Sequence, residues 1–359
     1  MKIKLIGTAA AILLMFGSVG VAFGQIGEHL FSGTVGEAKI ELRLFNDGES
    51  LTGDYYYRKS GSANRLKLKG TISADGSFTM QESNAAGKQT GSFNGKWKQD
   101  PNASGASLDG EWQKPGQSGD GLGFWVWEQM IYFSTTKITT REIKDAMKPK
   151  KATLSAEYPE LSGNANAAGF NLLARAEVTK ALAAFRKDMN SLTAADIRQM
   201  GAGMGNYIDV GYSIEFADED LISVNFTEST FTGGAHPNSN TTTLTYDLKA
   251  GRQVRLADLF KPGAKYVAKI AEYSLNDLKN RKDPETGENM GIAQDIWEEG
   301  AAPTADNYSN WNVTKKGLLI TFPAYQVAAY AYGPQTVIVP YSALKDIVRP
   351  DGALRKSAK

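Results

Sequence analysis

No cysteine occurs among the 359 residues, and histidine occurs only twice, at His29 and His236. The first absence excludes every disulfide and any lipid-modified cysteine. The second leaves a zinc hydrolase site, which needs about three protein ligands and commonly several His or Cys, without its usual donors. A nucleophile elbow of the Gly-x-Ser-x-Gly type is also missing; the nearest cluster is Gly116-Gln117-Ser118-Gly119. Gly201-Ala202-Gly203-Met204-Gly205 lacks the Lys-Ser/Thr ending of a phosphate loop. No metal and no cofactor are expected from these patterns. An excess of one charge is absent too, with 40 basic against 39 acidic residues. A near-neutral chain has no electrostatic basis for nucleic-acid binding, though a local patch can still meet acidic sugars or a basic protein.

What the chain does have is ordinary globular composition, 42% hydrophobic and 22% charged, at a length suited to two domains. Its N-terminus has the form of an export signal. Lys2 and Lys4 precede the apolar run Leu5 to Phe16, and Ala22 and Gly24 stand at the −3 and −1 positions of a cleavage site before Gln25. Subtracting Lys2 and Lys4 from 40 basic residues leaves 38 against 39 acidic ones. The alternative is an uncleaved anchor, since apolar residues reach Phe23; Gly17, Ser18 and Gly20 interrupt them. Export without cysteine suits a bacterial periplasmic or secreted protein with no mature transmembrane span.

From about Phe31 to Phe133 short strands alternate with turn residues. Lys39 to Phe45 alternates apolar and charged side chains, Asn46-Asp47-Gly48 makes a turn, and strands follow at Leu51 to Arg58, Arg65 to Gly70 and Ser77 to Gln81. Glycine, a polar residue and an aromatic recur together at Gly53-Asp54-Tyr55, Gly91-Ser92-Phe93, Gly95-Lys96-Trp97 and Gly110-Glu111-Trp112. Such spacing predicts an antiparallel barrel or sandwich of about eight strands. These aromatics read as core filling, or as the lining of a ligand site. Trp125 and Trp127 share one strand face, either core or an exposed binding strip.

Thr140 to Lys151 is charged, contains Pro149 and reads as a linker or short helix. Beyond it, Phe170 to Met189 and Tyr266 to Lys279 have helical periodicity. Strands are expected at Tyr207 to Ala217, Leu221 to Thr230, Thr241 to Leu248, Gly317 to Phe322 and Gln335 to Val339. Tyr341 to Val348 reads as a terminal helix. The plan is then a signal peptide over 1–24, an all-β domain over 25–135 and a linker over 136–152. An α+β domain over 153–348, with an antiparallel sheet and two packing helices, and a tail over 349–359 complete it.

The second half also resembles a known family. Tyr158-Pro159-Glu160-Leu161-Ser162-Gly163, Ile222-Ser223-Val224-Asn225-Phe226 and the loop Phe231 to Asn238 are similar to the domain beside the catalytic unit of PdaC-type peptidoglycan deacetylases. Leu256-Ala257-Asp258-Leu259-Phe260, Phe322-Pro323-Ala324-Tyr325, Tyr332-Gly333-Pro334 and Ile338-Val339-Pro340-Tyr341 resemble the adjoining DUF3298 module. The resemblance runs over about 153–348, a DUF3298 unit preceded by a DUF4163-type domain, as in RsiV-type anti-sigma factors. In those proteins the module captures lysozyme. Only four residues precede the apolar run here, so signalling by sigma-factor release is not expected. The resemblance implies recognition of lysozyme or of peptidoglycan glycan, with deacetylation belonging to a separate domain.

The candidate binding residues are Gly233, Gly234, His236 and Asn238 in one loop, Tyr325, Tyr330 and Tyr332 in another, and Trp125 and Trp127 in the β domain. A non-enzymatic periplasmic binding protein is the primary reading. A cell-wall hydrolase or esterase using His236 with a carboxylate is the alternative, and a purely structural envelope protein is a third. His236 on its own lacks acid–base partners and reads as a loop-bracing residue. Asp218, Glu219 and Asp220 read as solvated hairpin charge, as do Glu298 and Glu299 in their loop.

Overall fold

The computed structural model describes residues 26–199, 205–234, 236–282 and 287–354. The expected signal peptide and the run 201–204 lie outside the described residues. Eight strands form a closed antiparallel barrel: β1 (Gly27–Val35), β2 (Ala38–Asn46), β3 (Ser50–Tyr57), β4 (Leu66–Ile72), β5 (Ser77–Ser83), β6 (Gln89–Lys98), β7 (Ser107–Gln113) and β8 (Leu122–Glu128). Along β2, Ile40, Leu42 and Leu44 are buried while Lys39, Glu41 and Arg43 point outward. This is the inverse of a membrane-spanning barrel, whose apolar side chains face out. Tyr55, Phe93 and Trp97 fill the interior, which settles three of the four repeated aromatics as core. Among the described residues no helix is long and apolar enough to cross a membrane.

A six-stranded sheet follows, made of β9 (Lys137–Met147), β10 (Ala152–Ser162), β11 (Asn206–Asp218), β12 (Leu221–Phe231), β13 (Asn238–Asp247) and β14 (Arg252–Gln253). The stretch 136–152 is therefore not a linker. β9 pairs with β10 along its whole length at the edge of the sheet. Charge on an edge strand discourages pairing with other chains, and that charge masked its rhythm. The sheet is not wholly antiparallel either, because β10 and β11 run parallel. A parallel pair needs a crossover, and helices α1 (Ala167–Ser191) and α2 (Ala194–Gln199) supply it. α1 buries Phe170, Ala174, Val178, Leu182, Phe185 and Met189 against Ile222, Val224 and Phe226 of the sheet.

The other face of that sheet receives two bodies. One is a three-stranded sheet of β15 (Trp311–Val313), β16 (Gly317–Phe322) and β17 (Gln335–Pro340), which packs on α3 (Tyr266–Lys279). Asn312 Nδ2 and the Val313 N–H both donate to Ser223 Oγ at 3.0 Å, seating this sheet on β12. The second body is the barrel, tied down by Arg58, which donates to Glu157 on β10 at 2.6 Å. The final helix α4 ends early, at Tyr341–Leu344. The tail expected from 349 is packed as far as Leu354, which is 1% exposed, and Arg349 N–H bonds the Leu259 carbonyl at 2.9 Å.

The connector between barrel and sheet runs beside β11, where Met130 N–H donates to Ile214 O at 3.0 Å and Tyr132 N–H to Ala217 O at 2.7 Å. Glu219, in the β11–β12 turn, is a clamp on this connector. Its Oε1 accepts the Ser134, Thr135 and Thr136 N–H groups at 2.8, 2.7 and 3.2 Å, and its Oε2 accepts Thr136 Oγ1 at 2.6 Å. The Thr135 N–H, then the Thr136 hydroxyl, hold the Glu219 pKa well below the carboxylate range. A depressed folded pKa contributes stability above the unfolded value of 4.5 that is lost as pH falls. Glu219→Gln is thus expected to lower the melting midpoint at neutral pH and to flatten its decline in acid. Parallel acid limbs for the two proteins would show that the clamp contributes nothing.

Candidate functional site

Where the barrel, the six-stranded sheet and the three-stranded sheet meet, they enclose a cleft of about 360 Å³. Its floor is the face of the six-stranded sheet turned away from α1, contributed by Glu215, Asn225 and Thr241. The barrel wall carries Asp100, Ser104, Trp127 and Glu128. The opposite wall is the outer face of β16 and β17, with Thr321 and Thr336. On β16 these positions alternate with Leu318, Ile320 and Phe322, which point into the core around α3.

A β-bulge places Glu215. Ile214 pairs with Val224 and Phe216 with Ser223, so Glu215 has no cross-strand partner. An extra residue shifts the two-residue alternation. Ile214 and Ala217 face α1, while Phe216 joins the core around the three-stranded sheet. Glu215 is 7% exposed, accepts Ser213 Oγ at 2.5 Å and is hydrogen-bonded by Ser104 Oγ from the barrel. Among the described residues no cation pairs with it. Glu128 is met by His29 Nδ1 at 2.6 Å and by the Ala106 N–H at 2.9 Å. Lys316 donates to the Ala103 carbonyl at 2.9 Å; burial lowers its pKa against the opposing pull of Asp100 and Glu128.

Three polar atoms in this lining have no hydrogen-bond partner among the described residues: Trp127 Nε1, Asn225 Oδ1 and Thr321 Oγ1. Thr321 is only 4% exposed. Buried polar groups are nearly always paired, so three orphans in one cleft make it a candidate site for a polar guest. A larger concavity, about 430 Å³, lies near the C-terminus, but its charges largely pair with each other, Arg252 with Asp258 and Arg349 with Asp351.

Of the sequence-derived candidates, Trp127 alone lines this cleft. Trp125 and Trp127 point outward from the barrel, 4.7 Å apart between ring centroids, and Trp127 lines the cleft. The strip is therefore not core; Phe124 and Val126 are. His236 stacks on Tyr330 at 3.9 Å, its Nδ1 lies 2.9 Å from the Pro237 carbonyl, and Tyr330 Oη donates to that same carbonyl at 2.5 Å. Tyr325 adds its ring 5.3 Å from Tyr330. The structure thus joins the two loops, and Ser239 and Pro334, next to Asn238 and Gly333, line the cleft. His236 has an aromatic ring and a carbonyl as neighbours, and no carboxylate bonds it among the described residues. Tyr332 turns aside to Asp295 at 2.5 Å, a bond that raises its pKa. Gly233 and Gly234 have φ of 92° and 108°, turning the loop.

Sequence reasoning missed Glu215, Asn225, Thr321 and Ser104. The break in alternation at Ile214-Glu215-Phe216-Ala217 was the one available signal for the first. Among the described residues no group of three or more His, Cys, Asp or Glu side chains is placed to hold a metal ion.

Comparison with known proteins bears on the two non-barrel walls. Residues 147–239 match the family described as deacetylase PdaC, and residues 257–342 match DUF3298, a family of unknown function. The peptidoglycan-N-acetylmuramic acid deacetylase PdaC of Bacillus subtilis is 30% identical over 156 residues, which make up 43% of this chain and 32% of that protein. The chain thus spans about a third of the length of this relative. A solved DUF3298 family structure from Bacteroides fragilis aligns over 62% of this chain and 96% of its own, at 18% identity and a TM-score of 0.46. Another, from Pseudomonas aeruginosa, aligns over 60% and 94%, at 16% identity and a TM-score of 0.40. The barrel that completes the cleft lies outside both family matches.

Proposed function

We propose that this chain is a non-enzymatic protein of the bacterial cell envelope, periplasmic or secreted, that recognises peptidoglycan glycan in the three-walled cleft. The observation that carries this reading is the set of unpartnered polar atoms on Trp127, Asn225 and Thr321 inside one concavity. A sugar ring offers hydroxyls to such atoms and an apolar face to an indole. The cleft volume of about 360 Å³ sits near the lower end of small-ligand sites, roughly 300–1,000 Å³. Support for the substrate class comes from the 156 residues that align, at 30% identity, with a protein named for acting on peptidoglycan.

A second reading, capture of lysozyme, is favoured by Tyr325. This residue is 56% exposed and has φ of 69°, a backbone conformation unusual for a non-glycine residue. Strain of that kind collects at recognition sites, and exposed tyrosine is a frequent anchor in protein interfaces. Calorimetric titration of the protein with glycan fragments and with lysozyme separates the two. Glycan binding is expected, and Trp127→Ala is expected to weaken it about tenfold, or about 1.4 kcal/mol. Glycan affinity indifferent to Trp127 would remove the cleft from the reading. Lysozyme binding lost in Tyr325→Ala, with no glycan binding, would replace it with the second.

A further inference from the structure

The cleft has more acceptors than donors. Glu215, Glu128 and Asp100 contribute carboxylates, and Asn225 Oδ1 is an acceptor with nothing to accept. On the donor side, Trp127 Nε1 stands free, and Thr321 Oγ1 can act either way. Lys316 has its ammonium on the Ala103 carbonyl, and Glu128 has His29. Glu215 differs from the other two carboxylates. It is buried, the bulge in β11 turns it away from α1, and it has two serine hydroxyls but, among the described residues, no cation. A buried carboxylate is costly unless a positive group meets it. The barrel's Ser104 and the sheet's Ser213 each bond one of its two oxygens, so it is positioned rather than left mobile. The unpartnered and nearly inaccessible Thr321 hydroxyl on the facing wall points independently to a ligand.

We infer that the cleft selects glycan units carrying a free amino group, with the sugar ammonium paired to Glu215 and its hydroxyls bonded to Asn225 and Thr321. The inference rests on the reading of the cleft as a glycan site and adds the charge of the ligand. An N-acetylated unit presents a neutral amide at the same place and lacks the cation that Glu215 calls for.

The test uses the whole protein, a glucosamine oligomer and an N-acetylglucosamine oligomer of equal length, at a pH where the free amine is protonated. The amine-bearing oligomer is expected to bind about tenfold more tightly, the scale of one desolvated charge pair. Glu215→Gln keeps the side-chain shape and an acceptor for Ser104; it should erase the preference, so that the two oligomers bind alike. Asp188→Asn, exposed on α1 across the sheet from the cleft, should retain the preference. A measurement that needs no variant is the pH series: raising pH until the amine is neutral should abolish the preference of the unmodified protein. Equal or weaker binding of the amine oligomer, or a preference that survives Glu215→Gln or amine neutralisation, overturns the inference while leaving glycan recognition intact. Binding of neither oligomer overturns both. Glu215-dependent binding of lysozyme without any amine preference also overturns the inference, assigning the carboxylate to a basic protein side chain.

Discussion

Arg58→Ala is expected to destabilise the protein by about 3 kcal/mol, which lowers the melting midpoint by about 4 °C for a chain of this size. Arg58 lies where barrel and sheet join, donating at 2.6 Å to Glu41, to Glu157 and to Ser32. Lys39 meets Glu157 from the other side at 3.0 Å. The side chains of Arg58 and Glu157 are 19% and 9% exposed, so removing the guanidinium leaves carboxylates that water does not fully reach. Burial works against ionisation of Glu157, but Arg58 and Lys39 outweigh it and hold its pKa below the usual value. For Glu41 burial prevails over Arg58 and the pKa is raised.

The two signs give the pH dependence. The Glu157 contribution is present above the ordinary glutamate pKa and disappears as pH falls. The Glu41 contribution is present below that value and disappears as pH rises through its raised folded pKa. Without Arg58 both carboxylates favour their protons, so the deficit of the variant should be largest at neutral pH and shrink in mild acid. Calorimetric melts across that range check it. A variant that melts with the parent at neutral pH, or a deficit that grows in acid, would show that solvent already screens the cluster. Arg58→Lys should recover only part of the loss, since an ammonium cannot bond Glu41, Glu157 and Ser32 in one fork.

The second large effect concerns the barrel itself. Gly110→Val is expected to cost at least about 3 kcal/mol, because the added side chain cannot fit without parting two strands. Gly110 on β7 pairs with Gly95 on β6. A Cβ at Gly110 would stand 2.0 Å from the Asn94 carbonyl oxygen and 2.6 Å from the Gly95 Cα. Relief requires breaking the β6–β7 ladder, and the edges exposed by an open barrel invite association. The change should appear as an early unfolding transition and a shift in emission of Trp97, which is buried in the barrel. Gly123→Ala on β8 is the control, since a Cβ there meets nothing within 4 Å. Equal melting of Gly110→Val and the parent would show that the strands separate at little cost.

Much of this architecture was written locally. Ile40, Leu42 and Leu44 alternate with charged residues, which marks a half-buried strand, and the repeated glycine–polar–aromatic triplets point to a barrel or a sandwich, a choice that strand pairing decides. Helix α3 was visible in the same way, with Ile270, Ala271, Ser274 and Leu278 buried at helical spacing. The edge strand β9 was not, because its charge serves the sheet's margin. Pairing with β10 is a long-range fact that no window of residues contains.

The candidate site divides along the same line. Aromatic and glycine-rich segments could be named from the sequence because residue type alone makes them suggestive, and the structure brings the rings of His236, Tyr330 and Tyr325 together. The acceptors of the cleft are Glu, Asn and Thr, ordinary residues on any solvated strand. Their significance comes from burial by two other bodies, and burial is decided by packing. The sequence by itself determined the two fold classes, the strand periods and the missing thiols, since these depend on residue type and near-neighbour spacing. The cleft, the orphaned Thr321 hydroxyl and the outward turn of Glu215 were decided only in the tertiary structure. They arise where segments more than a hundred residues apart exclude water together.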